Sequence, residues 1–598
     1  MIAGFFATRV AYLLVAFDNV YWVEELYRGT VAHQLVHGRL LPLMDYQYAG
    51  YDGGSLIDSI LAAAVFCVAG DSYLSLKLVG LLHHAGAIVI AFLIFYRYFG
   101  NRAAVLAAGI LVLSPPASFR ISTLTIGNYY ECSFYILLTA YLAGLATESE
   151  GRRRMILWCM TGLVMGFGIY YSFFFIVALG PLAVAWLLTA CRRVRLKELA
   201  CLAIFSVIGL IPWFAYNAGH DWAGVRYLLH NRAPPQPLLL LAKVVRVIAS
   251  VKDAWGAQLE GAAFFYALCG LGSSVILLLW LLPIVRKQLK LPPPRFATVV
   301  IALFPVFFFF SHSFFIADVP VDNASVYDDP FNYHKYSYKY LTAVLPFFSL
   351  TIVMAACLVS SASRSVARWI CTAIVGLLCL TNIAGIAPEL GSTRFAEGTR
   401  YAGYDYGFFA GMVLCQPLED SVERFDRFGK PWKGRAFWAY GHAVCTAYRA
   451  DPDRLITALQ AGGRAHMPSM MKGVGESLAR QEVLAGFDIS HLESLVGERF
   501  PASEAQVAQG YGFGLGRHLG YPAFRTRKDE VKAMADRISQ KAPYGLEEDV
   551  FIGFGMGLGA GIGDHDNAFQ HIINSVPFEA RNWVEQGWKM GLAYRRER

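Results

Sequence analysis

Apolar residues fall into long runs over the first two thirds of the chain and stop doing so near residue 387. A helix needs about 20 residues to cross ~30 Å of hydrocarbon, and about eleven runs come near that length. They lie near 2–17, 74–96, 103–118, 131–147, 155–171, 173–190, 199–217, 263–284, 297–316, 337–358 and 369–387. A twelfth run, 55–70, lies between acidic stretches and would break the alternation of charged loops if it spanned. It reads as an interfacial helix. The pattern therefore predicts an all-α, polytopic membrane domain over residues 1–389, with outer loops at 18–73, 218–262 and 317–336.

Lys and Arg sort these runs into an orientation. They gather at Arg97 and Arg102, Arg152 to Arg154, Arg192 to Lys197, Arg286 to Arg295, and Arg364 with Arg368, on every second loop. Positive charge beside short loops resists translocation, so those loops are expected on the cytoplasmic side. The alternate loops hold Asp18, Glu24, Glu25, Asp45, Asp52, Asp318, Asp322, Asp328 and Asp329. With an odd number of spans and a cytoplasmic N-terminus, everything beyond residue 388 is expected outside, which in a bacterial inner membrane means the periplasm. The first run carries Arg9 and no small-residue cleavage site follows it, so it reads as a retained anchor.

From 390 to 598 the pattern changes to amphipathic segments of near-balanced charge, the mark of a soluble domain. A glycine-rich core recurs there: Gly403 to Gly407, Gly441, Gly473 to Gly475, Gly510 to Gly516, Gly553 to Gly559, and Gly587 to Gly591. The spacing is that of helix-pair repeats, and small residues let neighbouring helices approach closely. A phosphate-cradling loop is the other meaning of alternating glycine, but no Lys-Ser/Thr follows Gly516. The expectation is a solenoid-like α-helical repeat domain that binds a partner, with a β-rich repeat as the alternative.

Composition narrows the function. Of 598 residues 56% are hydrophobic and only 16% charged, against about 25% charged in soluble domains. Membrane lipid is the implied surroundings. A net charge of +8 distributed as topology gives no reason to expect nucleic acid. The 11 cysteines form no CxxC pair, so no zinc site is indicated. Cys415 and Cys445 fall in the polar tail, where geometry decides whether they are bonded.

Glu24 and Glu25 at the outer end of the first run, followed by a helix ending at Gly38, are the most informative polar group. Carboxylates at the rim of an apolar cavity can serve as general bases, and Asp18 is close enough to compete for that role. His334, Lys335, Lys339 and Tyr340 form a cationic and aromatic cluster in the late outer loop. They either bind an anion or snorkel at the interface. His83, His84 and His312 lie in or beside spans and are left without a role. Acids at 318, 322, 328 and 329 could meet a divalent ion, but their spacing fits no standard loop, so no metal or cofactor is assigned.

The acidic pair, the helix ending in glycine and the interfacial helix together resemble the GT-C glycosyltransferases, the superfamily of protein O-mannosyltransferases and lipid A aminoarabinose transferases. Ser114-Pro115 with a loop leading to Asn128 and Glu131 is similar to that family's second outer loop. Phe308 to Ser313 and then Lys339-Tyr340-Leu341-Thr342-Ala343-Val344-Leu345-Pro346 resemble its late segment, with Lys339 and Ala343 replacing an Arg and a Pro. The resemblance implies sugar transfer from a polyprenyl-phosphate carrier to a protein or glycan acceptor. Glu24 or Glu25 would be the base, and Lys339, His334, Lys335 and Tyr340 would hold the donor phosphate. A non-catalytic GT-C-like scaffold whose repeats bind a partner is the rival reading, and a transporter a more distant one.

Overall fold

A computed structural model describes residues 1–16, 23–38, 42–47, 50, 52–191, 194–220, 222–225, 260–315, 343–362, 365–391, 407, 410, 425, 432–448, 451–460, 465–485, 503–520, 528–542, 545–562, 570 and 572–596. Among the described residues there are helices and no strand. The chain divides into two compact units: residues 1–20, 42–70 and 74–394 form one, and residues 21–41, 71–73 and 395–598 the other.

The first unit contains α1 (Ile2–Ala16), α3 (Gly53–Ala69), α4 (Tyr73–Phe99), α5 (Asn101–Val112), α6 (Pro116–Ile121), α7 (Cys132–Glu148), α8 (Gly151–Tyr171), α9 (Phe175–Thr189), α10 (Leu196–Gly209) and α11 (Ile211–Gly219). It continues with α12 (Glu260–Leu281), α13 (Pro283–Leu289), α14 (Phe296–Phe315), α15 (Leu345–Ala362) and α16 (Ser365–Gly391). Of the described helices, α4 and α8 are each long and apolar enough to cross a membrane. Two bent pairs bring that to four, α10 with α11 at 43° and the later part of α12 with α13 at 94°. Both bends come where proline opens the next helix, Pro212 and Pro283, since proline lacks the N–H that would continue the ladder. Eight shorter apolar helices accompany them.

Two boundaries differ from the hydropathy pattern. The apolar run 103–118 is helical only to Val112, and after the turn at Leu113 to Pro115 the short α6 begins. Pro115 and Pro116 have no N–H to donate back into α5. The run from 337 gives a described helix from Leu345.

At one end of this unit the charged termini of five helices pair. Glu148, closing α7, receives Arg97 of α4 at 2.7 Å and Arg295, just before α14, at 3.7 Å. Arg154 of α8 meets Glu198 of α10 at 3.1 Å. Helix direction alternates along the chain, so the start of α7 and the end of α8 lie at the opposite end, beside the N-terminal half of α4. The polar cluster described below is built there.

The second unit contains α2 (Val23–His37) and, later in the chain, α17 (Trp432–Ala447), α18 (Pro452–Gln460), α19 (Met467–Ala485), α20 (Glu504–Gly520), α21 (Lys528–Lys541), α22 (Glu547–Ile562) and α23 (Arg581–Arg596). Five of the six glycine-rich cores lie on α17, α19, α20, α22 and α23, and each of these helices packs on the next in chain order; of the first core, Gly403 to Gly407, only Gly407 is among the described residues. Contact is backbone to backbone: a Cβ added at Gly512 of α20 would come within 2.7 Å of the Phe554 amide nitrogen on α22, besides striking the Val550 carbonyl. Val550, Phe551, Phe554, Leu558, Leu515 and Trp588 fill the apolar core beside these crossings. A buried carboxylate ties three of the helices. Glu476 of α19 accepts from Trp438 Nε1 of α17 at 2.9 Å and from Arg517 of α20 at 3.0 Å. Cys445 is buried in α17, while Cys415 lies outside the described residues.

Candidate functional site

In the first unit, polar side chains converge from four helices and one loop. The loop 122–131 leads into α7, and its glycine sets the approach. Gly127 has φ +78°, a left-handed conformation that L side chains rarely adopt, and a Cβ on Gly54 of α3 would strike its carbonyl. The two glycines thus let the N-terminal turn of α3 lie against the loop backbone. Asp52 caps that turn, accepting the Ser55 N–H at 3.2 Å.

Six residues on, Asp58 is fully buried and accepts a hydrogen bond from the Tyr171 hydroxyl at 2.9 Å. His83 of α4 stands 4.0 Å from the same carboxylate oxygen, and its Nε2 is 3.1 Å from the Tyr135 hydroxyl of α7. Glu131, at the start of α7, is also buried. One of its oxygens accepts the N–H groups of Ile126 at 2.9 Å and Gly127 at 3.2 Å, while its other oxygen has no hydrogen-bond partner among the described residues. Asn128 accepts from the Ser172 hydroxyl at 2.6 Å. His84 donates Nδ1–H to the Gly80 carbonyl at 2.5 Å and stacks on Tyr130 with centroids 4.0 Å apart. That hydrogen bond leaves the lone pair of a neutral ring on Nε2, which is buried without a partner among the described residues.

Arg9 closes the back of this cluster. Its guanidinium is fully buried, donates to Ser122 at 2.9 Å, to Ser114 at 3.1 Å and to the Val112 carbonyl, and lies 3.7 Å over the Phe119 ring. Burying so many ionisable groups is costly unless their hydrogen bonds are met, so such clusters in membrane helices mark functional sites by default. Two carboxylates, two imidazoles and three tyrosines can bind a hydroxyl-rich group and hold or exchange a proton with it.

Of the residues singled out in the sequence, Asn128 and Glu131 are part of this cluster. His83 and His84, left without a role there, join them. Asp58 and Tyr171 are not among the residues singled out, and Arg9 is there only as the charge of the first run; the available signal for Asp58 was an acid within an otherwise apolar 17-residue helix.

Glu24 and Glu25 occupy the first turn of α2, in the second unit. Glu25 is fully buried and accepts from the Tyr73 hydroxyl at 3.0 Å; Glu24 is half-buried. Further along α2, His33 and His37 both meet Asp71. Burial lowers the His33 pKa below the ordinary imidazole range, with Asp71 acting against it. Asp18, His334, Lys335, Lys339 and Tyr340, the acids at 318, 322, 328 and 329, and the side chain of His312 lie outside the described residues.

Residues 56–216 match the model of the family described as dolichyl-phosphate-mannose-protein mannosyltransferase, a glycosyltransferase family of the GT-C kind. No curated protein and no solved structure matches the chain. The matched segment includes Asp58, His83, His84, Asn128, Glu131, Tyr135 and Tyr171.

Proposed function

From a membrane region of the GT-C glycosyltransferase kind, we propose that this protein transfers a sugar from a polyprenyl-phosphate carrier to a protein or glycan acceptor. It does so on the periplasmic face of a bacterial inner membrane, with about eleven spans and a cytoplasmic N-terminus. The observation that carries this reading is the coincidence of two things: the segment matched to the family is the one that supplies the buried Asp58, His83 and Glu131.

In the transfer, an acceptor oxygen attacks the anomeric carbon as the bond from that carbon to the phosphate oxygen breaks. The acceptor's proton goes to Glu24, and the polyprenyl phosphate leaves as an anion that needs no proton when a cation faces it. Lys339 supplies that cation, with His334, Lys335 and Tyr340 around the phosphate. Asn128 and Glu131 act on the loop: by holding the Ile126 and Gly127 amides and the Ser172 hydroxyl, they fix its backbone against α3. The helical repeats that follow residue 390 recruit and orient the acceptor.

Native mass spectrometry of the detergent-purified protein tests this. A polyprenyl phosphate, free or glycosylated, is expected to co-purify with wild type and to be lost from Lys339→Ala. Finding ordinary phospholipids but no carrier on wild type would sink the proposal. Truncation after residue 390 removes most of the unit to which residues 21–41 belong. Such a protein is expected to keep the carrier and lose transfer; loss of the carrier as well would count against separate roles for the two regions.

A further inference from the structure

Near the C-terminal end of α2 three side chains converge that the proposed transfer does not use. His33 and His37 are four residues apart on one helix, so both project from the same face. Asp71 meets the two of them: its Oδ2 lies 2.5 Å from His33 Nδ1 and 2.7 Å from His37 Nε2. The two rings have centroids 4.3 Å apart. One donor atom from each of the three residues lies within 4.8 Å of the others.

This set has the chemistry of a metal site. Two histidines one turn apart on a helix are a recurrent zinc pair, and a carboxylate from elsewhere in the chain completes three protein ligands, leaving a fourth position for water. We propose that His33, His37 and Asp71 bind a divalent transition-metal ion of the zinc class. A tetrahedral ion with bonds of about 2.0–2.1 Å keeps its ligand atoms roughly 3.3 Å apart, so both imidazole nitrogens must draw back from Asp71 by less than about 1 Å. His37 has room to move, since its side chain is 56% exposed.

The ion acts as a clip. Residues 71–73 are fastened to the start of α2 by the hydrogen bond from Tyr73 to Glu25 and to its end by the two histidines. A rise of 1.5 Å per residue puts His33 about 12 Å along the axis from Glu25, too far for the ion to touch a group held by that carboxylate. Its role is therefore to hold the helix that carries Glu24 and Glu25. Metal binding does not depend on sugar transfer, so it stands or falls separately.

The test is a titration of the tag-free, chelator-treated full-length protein with Co(II) and then Zn(II). About one equivalent of Co(II) should give the visible absorption of a four-coordinate site, and Zn(II) should bleach it. The melting temperature should rise with Zn(II) concentration. His33→Ala/His37→Ala should lose both responses, and Asp71→Asn should bind at least tenfold more weakly. His37→Ala alone, at an exposed position, should melt like metal-free wild type yet gain nothing from Zn(II). Lys339→Ala should bind the metal as wild type does. No saturable Co(II) spectrum in wild type, or the same spectrum in the double variant, overturns the assignment.

Discussion

Glu24→Gln is expected to slow sugar transfer by about 10²–10⁴-fold, the usual contribution of a general base, while the carrier still co-purifies. The amide keeps the size of the carboxylate and removes its capacity to take a proton. The neighbouring acid should behave differently. Glu25 is fully buried and already engaged by the Tyr73 hydroxyl, so its task is to hold the start of α2 in place. Its amide can still accept that hydrogen bond, and Glu25→Gln should cost no more than about tenfold in rate. Glu24 is the more accessible of the two. Comparing turnover with carrier occupancy in both variants decides the matter: a Glu24→Gln protein that transfers at the wild-type rate would remove Glu24 from the reaction.

The second large effect concerns the helices of the C-terminal region. Gly512→Leu should destabilise the second unit by about 3 kcal/mol or more, the upper range for overpacking. At this position a new Cβ meets main-chain atoms of α22, the Val550 carbonyl and the Phe554 amide, and main chain cannot rotate out of the way as a side chain would. The helices would have to separate, and the apolar core around Phe554 and Leu558 would open with them. Gly434→Ala is the control, because at that exposed position a Cβ meets only Ser469 Oγ at 3.9 Å. It should be neutral or stabilise by roughly 0.5–1 kcal/mol through the usual advantage of alanine in a helix. Proteolysis of the full chain across a denaturant series measures both, and equal midpoints for Gly512→Leu and wild type would show that the crossing is loose.

Much of the helical organisation was legible because apolar runs and the basic residues flanking them are local properties. The glycine cores were legible for a related reason: recurrence along the chain distinguishes a helix crossing from a single phosphate loop, and the cores do lie on successive packed helices. What escaped the sequence depends on partners far apart in it. Asp58 meets Tyr171 across 113 residues, and no period connects them. His33 and Asp71 are separated by 38 residues, with α3 intervening. The end of α5 lies short of the expected 118 because Ser114, Pro115 and Pro116 end both the apolar run and the helical hydrogen bonding. Composition measures what a segment is soluble in, and a buried polar cluster is by construction a departure from that average.

The burial of Arg9 has a consequence for the order in which the protein is made. α1 leaves the ribosome ahead of α5 and α6, and the Ser122 hydroxyl that pairs its guanidinium follows 113 residues after Arg9. At synthesis rates of about 5–20 residues per second, that is a delay on the order of ten seconds. Throughout it, a cation costing about 2.5–3.5 kcal/mol at the centre of an apolar helix has only its neighbours on α1, the Thr8 hydroxyl and the Phe5 ring. α1 should therefore stay shallow in the bilayer or beside the insertion machinery until α5 and α6 emerge, and only then settle to its final depth. In this chain α1 is synthesised ahead of α5 and α6 yet is seated only after them.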